Sequence, residues 1–288
     1  MAQVTNGSRA DLHNHTTASD GLLKPAQLVE YAARKGLGAL AITDHDTTDG
    51  IDEGLAAGKI QKIVVVPGIE INTQLGSDEI HILGYYIDWK SSLLQNVLSE
   101  MKEIRKSRAE IMVQKLVALY GFDISNEEVQ HQAKDGTVAR PHIARVLISK
   151  GIVQDVNEAF EKYIGNHCPA YVERYHLTPK EGIQLIHRIG GVAVLAHPGL
   201  MHNHGLINDL IKCGIEGIEV YHSRHTLQQT KNFEDIAKQN ELLITGGSDC
   251  HGELFDGMPI IGDVTVGMEE VKALRNMAAR KAMNNCKS

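Results

Sequence analysis

Histidines and carboxylates recur in short clusters along this chain: Asp11-Leu12-His13-Asn14-His15, Ser19-Asp20-Gly21, Thr43-Asp44-His45-Asp46, Gly68-Ile69-Glu70, Glu79-Ile80-His81, Ala196-His197-Pro198 and Gly247-Ser248-Asp249-Cys250-His251. Imidazole and carboxylate together make up the ligand set of sites for divalent transition metals. His13 and His15 stand two residues apart, so on an extended backbone their rings project to the same side. One such pair means little in a chain with 15 histidines. Repetition is what carries weight. Asp20, His45, Glu70, His81, His197, Asp249 and His251 each follow or end a short apolar run. Residues at the carboxyl ends of parallel strands meet on one rim.

The runs that must position these residues are Ala10–His13, Ala39–Thr43, Ile63–Val66, Ile80–Tyr85, Val192–Ala196, Gly217–Tyr221 and Leu242–Thr245. Short, continuous and apolar, they read as parallel strands covered on both faces. Helical patterns separate most of them. Pro25 fits the first turn of one helix, with Leu28, Val29 and Ala32 on its apolar side and Gly36 at its end. Thr178 and Glu181 have capping-box spacing, and Gly190-Gly191 stops the helix they open. Seven strands alternating with helices predict a seven-stranded α/β barrel, closed or nearly closed and TIM-like, with a doubly wound open sheet as the alternative. Residues 89–175 break the rhythm, with helical stretches at Leu93–Tyr120, Asn126–Lys134, Pro141–Lys150 and Asp155–Tyr163 and no strand run. The expected organisation is therefore a barrel formed by residues 8–88 and 176–288, carrying a helical insertion domain at 89–175 that caps the substrate pocket.

Composition narrows the function classes. A formal charge of −7 argues against an extended basic nucleic-acid platform. The four cysteines, Cys168, Cys213, Cys250 and Cys286, form no CxxC pair, which speaks against a zinc ribbon or a thioredoxin motif and fits a reducing compartment. Residues 1–7 lack the apolar core of a signal peptide, and no apolar stretch reaches membrane-spanning length. The chain is expected to be cytoplasmic, with no membrane partner.

The clusters, taken as a set, resemble those of the PHP (polymerase and histidinol phosphatase) family of metal-dependent phosphoesterases, and within it the TrpH/YciV-like group. The resemblance spans essentially the whole chain. It implies a distorted seven-stranded barrel and three divalent ions. His13, His15, Glu70 and Asp249 would hold one ion. Glu70 would bridge to a second, bound by His81 and His197. Asp20, His45 and His251 would hold the third. Imidazole-rich ligation favours manganese, zinc or iron over magnesium, and manganese is the expected metal. Three divalent ions against three carboxylates leave about three excess positive charges, which suits a phosphate monoester dianion. The expected chemistry is in-line attack on phosphorus by a water activated near neutral pH, with His222 or His251 protonating the leaving oxygen.

Other residues admit two readings. Asp44 and Asp46 flank His45 either as carboxylates orienting an imidazole or as turn caps. Cys250 reads as packing. Arg140 precedes Pro141 at a helix start, where guanidinium and helix N-terminus both suit phosphate, and Arg108 shares a helix face with Arg105. The resemblance implies substrate binding by a serine–histidine pair after the sixth strand, which matches Ser223 and His225 with Arg224 intervening. Histidines 131, 167, 176, 187, 202 and 204 match no ligand motif. The expected substrate is a phosphorylated small molecule, a nucleotide in the first instance: a 3′,5′-bisphosphonucleotide cleaved by a phosphatase, or a short RNA or DNA 5′ end cleaved by a 5′–3′ exoribonuclease. A histidinol-phosphatase-like enzyme, an amidohydrolase that cleaves C–N bonds and a non-catalytic metal-binding regulator are the alternatives.

Overall fold

The computed structural model describes residues 7–76, 78–133, 138–173, 177–255 and 258–285. Residues 1–6, Lys134, His176 and Cys286, all weighed above, lie outside the described residues. The chain divides into two compact units, residues 1–94 with 176–288, and residues 95–175.

The first unit is an α/β barrel. Its strands are β1 (Arg9–Asp11), β2 (Ala39–Ile42), β3 (Val64–Leu75), β4 (Asp78–Tyr85), β5 (Val192–Leu195), β6 (Gly217–His222) and β7 (Leu243–Gly247). A hairpin of β8 (Leu254–Phe255) and β9 (Met258–Pro259) follows, and then β10 (Val266–Gly267), which pairs antiparallel with the outer edge of β1. All seven apolar runs are strands, so the α/β barrel reading stands. The three short strands after β7 carry too few apolar residues to be read from sequence.

Strand direction departs from the expectation. β4 runs antiparallel to both β3 and β5. The chain between Leu75 and Asp78 is only two residues long, and a parallel crossover needs a dozen or more. The chain therefore turns straight back as a hairpin. β3 also continues through Glu70 to Leu75, which places Glu70 in mid-strand, and His81 lies within β4 instead of at a parallel strand's carboxyl end.

The barrel closes where β7 returns to β1. The Leu12 amide donates to the Gly246 carbonyl at 3.1 Å, the Asp249 amide to that of His13 at 3.0 Å and the His15 amide to that of Cys250 at 2.9 Å. Helices α1 (Pro25–Arg34) and α2 (Ile51–Gln61) follow β1 and β2. Pro25 is the first residue of α1, and Leu28, Val29 and Ala32 form its buried face as the spacing predicts.

The second unit holds most of α3 (Ser92–Tyr120), then α4 (Asn126–Ala133), α5 (Arg140–Ser149) and α6 (Val156–Ala159), which runs on into a π turn at Phe160–Ile164. It contains no strand among the described residues. Its core is its own: Met112, Leu116, Ile143, Leu147, Ala159 and Ile164 are fully buried together.

Beyond it, α7 (Pro179–Arg188) leads back into the barrel. Thr178 Oγ1 accepts from the Glu181 amide, and Glu181 accepts from the Thr178 amide at 2.8 Å, the capping box legible in the sequence. α8 (Ile207–Lys212), α9 (Leu227–Gln239) and α10 (Met268–Asn285) complete the covering layer, and Val271 and Leu274 of α10 join the barrel core. No helix among the described residues is long and apolar enough to cross a membrane.

The closing seam predicts a stability effect. A Cβ at Gly247 would stand 2.4 Å from the backbone nitrogen and Cβ of His13, far inside van der Waals contact. Gly247→Ala should destabilise by about 1–3 kcal/mol through overpacking, lowering Tm by roughly 2–10 °C. Differential scanning calorimetry checks this, and an unchanged Tm would show that the seam has room.

Candidate metal centre

Glu70 is the hub of the barrel's open end. It is fully buried, and imidazole nitrogens from five other positions face its two oxygens. Nε2 of His13, Nε2 of His15 and Nδ1 of His45 each lie 3.2 Å from Oε2. Nδ1 of His81 lies 2.9 Å and Nε2 of His197 3.0 Å from Oε1. The histidines come from the ends of β1, β2 and β5 and from the reversed β4, so closure of the barrel is what gathers them. Backbone pairing fixes the hub itself: the Glu70 amide donates to the Asp44 carbonyl, and the Asp46 amide to the Glu70 carbonyl.

Asp249 supplies the second anionic focus. Its Oδ1 is 3.1 Å from His15 Nε2 and 3.5 Å from His13 Nε2, and its Oδ2 is 3.4 Å from His222 Nε2. Asp20, half-exposed, lies on the outer side with Oδ2 3.4 Å from His251 Nε2 and 3.9 Å from His45 Nε2. Ligand-type atoms therefore gather in four overlapping sets, each compact enough to surround an ion: His15, Asp20, His45 and His251; His13, His15 and Glu70; His45, Glu70 and His81; and His13, His222 and Asp249. Eight of the nine residues singled out as ligands fall in these sets, and the ninth, His197, lies outside them with its Nε2 3.0 Å from Glu70 Oε1. The sequence reading had not included His222 among the ligands.

The donor atoms fit metal better than they fit one another. Both ring nitrogens of His15, Nδ1 of His45 and Nε2 of His81 are buried without a hydrogen-bond partner. His15 Nε2 lies close to two carboxylate oxygens yet meets neither in hydrogen-bonding geometry. Buried polar atoms left unpaired are costly and uncommon, and an ion between imidazole and carboxylate removes the cost.

Charge crowding shifts the proton affinities of the cluster's own groups. Burial disfavours the charged form of His15, but Asp249 and Glu70 outweigh it and raise its pKa to about 9. His81 behaves alike, with Glu70 and Glu79 raising it to about 10 against burial. For His45 burial wins, aided by repulsion from His15 and His81, and its pKa falls to about 4. Burial pushes Glu70 and Asp249 up, yet the surrounding imidazoles hold both well below the ordinary carboxylate range.

Buried carboxylates around the centre brace it. Glu219, fully buried in β6, faces His13 Nδ1 at 3.0 Å and accepts the His197 amide at 2.7 Å. It was missed in the sequence, although a lone glutamate inside the apolar run Gly217–Tyr221 was its signal. Asp11 accepts from the Ser248 hydroxyl and amide and from the Gly262 amide, binding β1 to the loop after β7. Asp44 accepts from the Thr16 amide and the hydroxyls of Thr16 and Ser19, and Asp46 from the amide and side chain of Asn72. Both flanking aspartates therefore hold loops in place, and no imidazole is among these hydrogen-bond partners. Cys250 is buried, its thiol pushed up to about 11 by burial. Asp46, His197 and Asp249 adopt positive φ, three of the six described non-glycine residues that do. Strained backbone therefore concentrates at the site.

Hydrogen bonds set two further tautomers. His251 Nδ1 faces the Asp249 carbonyl at 3.0 Å, so it carries the proton and leaves the Nε2 lone pair toward Asp20. His222 Nδ1 accepts the Arg224 amide at 3.2 Å, so its proton is on Nε2, toward Asp249. His225 uses both nitrogens on backbone: Nδ1 donates to the Val220 carbonyl and Nε2 accepts the Gly199 amide. Ser223 is exposed.

Within the helical unit, Arg108 and Arg140 converge on one ring. Their guanidinium carbons lie 5.3 and 5.5 Å from the centre of Tyr171. Arg140 also donates to Asn166 Oδ1 at 2.7 Å, and Arg108 to the Val172 carbonyl at 2.7 Å. Burial and the neighbouring Arg140 charge lower the pKa of Arg108.

The PHP domain model matches residues 11–164. The 5′-3′ exoribonuclease Rnm of Escherichia coli K12 is 34% identical over 250 residues, covering 84% of either chain. A 3′,5′-nucleoside bisphosphate phosphatase of Chromobacterium violaceum is 33% identical, covering 84% of this chain and 86% of its own. A phosphoribosyl 1,2-cyclic phosphate 1,2-diphosphodiesterase of Eggerthella lenta is 30% identical, covering 88% and 97%. Among solved structures, a protein of Bifidobacterium adolescentis assigned to the metal-dependent phosphoesterases superposes with a TM-score of 0.76 at 29% identity, covering 93% and 96% of the two chains. A Chromobacterium violaceum amidohydrolase with bound sulfate does so at 0.69 and 32%, covering 83% and 86%. The sequence motifs, the barrel and the histidine–carboxylate centre agree with these likenesses, and the chain belongs to the PHP family of metal-dependent phosphoesterases.

Proposed function

We propose that this enzyme hydrolyses a phosphate ester of a nucleoside 3′,5′-bisphosphate, and by the same chemistry shortens small RNAs from the 5′ end. The observation that carries the metal part of this reading is the ring of five imidazoles around buried Glu70, four of whose nitrogens, counting both on His15, lack hydrogen-bond partners. Three divalent ions, manganese first and zinc or iron as alternatives, would be held by His13, His15, Asp20, His45, Glu70, His81, His197, Asp249 and His251. Ions bound there would neutralise phosphoryl charge and bring water's ionisation near neutral pH. Overlap of the compact ligand sets at Glu70 supports its role as a bridge.

The protein's own groups do the rest. Glu219 fixes the His13 ring through Nδ1, which turns Nε2 toward Glu70 as the atom that would ligate. His222, with its proton on Nε2, is the group placed to donate to the leaving oxygen. His251 has its free lone pair turned toward Asp20, which favours ligation over proton transfer. The two guanidiniums on Tyr171 support anion recognition by Arg108 and Arg140. His225 is committed to backbone partners and serves as a brace in this reading. The relatives' names support nucleotide and RNA substrates. The sulfate in the amidohydrolase relative is a tetrahedral oxyanion like phosphate, which favours phosphoester over amide chemistry. The three described cysteines are unpaired, which supports a cytoplasmic setting.

With manganese, the enzyme should release inorganic phosphate from adenosine 3′,5′-bisphosphate. Arg140→Ala should raise KM for that substrate about tenfold while sparing an aryl phosphate. Absence of phosphate release, while 5′-phosphorylated oligoribonucleotides are also left intact, would sink the nucleotide reading.

Glu219→Gln keeps the shape but not the charge that orients His13. It should weaken metal affinity by about 10–100-fold, measured by competition with a chromogenic chelator. Unchanged affinity would reduce Glu219 to a packing residue.

Metal uptake should also release protons. His13, His15 and His81, whose pKa values the neighbouring carboxylates raise, must shed theirs to become ligands, whereas His45, already neutral, and the ionised carboxylates release none. Apparent affinity should therefore rise with pH from neutrality through about 9 to 10. Calorimetry at pH 7.5 in buffers of different ionisation enthalpy should give buffer-dependent heats, and identical heats would contradict the charge assignment.

A further inference from the structure

The turn after β6 places an arginine at the open side of the centre. Arg224 Nη2 lies 3.8 Å from Asp249 Oδ2, and its side chain is 64% exposed. Among the described residues it is the lysine or arginine that ion-pairs with a carboxylate of the centre; the ion-pair partners of Glu70, Asp20 and Glu219 are histidines. Its backbone is held firmly. The Arg224 amide binds His222, the His225 amide donates to the His222 carbonyl, and the His225 ring spans Val220 and Gly199. Gln229 donates to the Gly199 carbonyl as well, so the turn is stapled to the loop that carries His197.

A well-anchored turn that presents an exposed guanidinium calls for an explanation beyond the ion pair. An exposed pair at this separation contributes little to stability. Asp249 also faces His13, His15 and His222, so its charge is already compensated. Filling the centre with divalent ions makes a further cation beside it unfavourable, unless an anion arrives with the substrate. Guanidinium offers that anion two parallel donors.

We propose that Arg224 binds the non-bridging oxygens of the phosphoryl group undergoing cleavage. The proposal rests on the phosphoesterase reading but not on the nucleotide. It assigns Arg224 a catalytic role, because a guanidinium held against the three equatorial oxygens stabilises the charge spread over them in the transition state.

The test uses the manganese-loaded enzyme with inorganic phosphate and an aryl phosphate as probes. Arg224→Ala should weaken phosphate binding in calorimetry by about tenfold or more. It should lower kcat/KM for the aryl phosphate by roughly 10²-fold, with Arg224→Lys recovering part of both. Metal content and Tm should match the wild type. Unchanged phosphate affinity and kcat/KM in Arg224→Ala would overturn the proposal, as would losses that track loss of metal. Because neither probe contains a nucleoside, failure of the nucleotide reading leaves this result interpretable.

Discussion

A carboxylate with no access to water has to be neutralised where it stands, and the barrel is organised around that requirement at Glu70. Leaving such a charge unpaired costs several kcal/mol. Five imidazoles answer it, four from just past the ends of β1, β2 and β5 and one from within β4. Each needs a defined backbone position. The β1–β7 seam supplies it for His13 and His15, the pairing of the His45 segment with β3 for His45, and the hairpin for His81. The remaining buried acids, Asp11, Glu219, Asp44 and Asp46, accept hydrogen bonds that keep those positions fixed.

Much of this could be read from the residues. The seven apolar runs became seven strands because burial on both faces leaves an unmistakable composition. Seven of the nine proposed ligands met because strand ends converge, and the β3–β4 hairpin brings Glu70 and His81 to them. The direction of β4 could not be read from hydrophobicity, which is the same for either orientation. The two-residue link Gly76-Ser77 did encode it. Glu219 escaped notice because its role depends on which face of β6 it occupies, a matter of register and not of composition. Arg224 looked like an interruption of a serine–histidine pair, and its significance depends on a distance to Asp249 that no spacing rule supplies.

The helical unit illustrates a different limit. Its helices were evident from periodicity, and its separate core follows from the same apolar positions. The meeting of Arg108 and Arg140 at Tyr171 was not evident, since the two arginines lie 32 positions apart and Tyr171 lies 31 positions further on. Like charges held together by an aromatic face and neutral acceptors are an arrangement that an anion stabilises.

The proposed ligands differ greatly in how tightly the protein holds them. Glu70, His13 and His15 are sealed, whereas the Asp20 side chain is 54% exposed on a loop steadied mainly through Thr16 and Ser19. An ion bound by the outer set of His15, Asp20, His45 and His251 would therefore exchange with solvent faster than one against Glu70. The centre would then hold resident and exchangeable ions side by side. When metal became scarce, occupancy would fall from the Asp20 side inward, and turnover would register the supply of metal before the fold did.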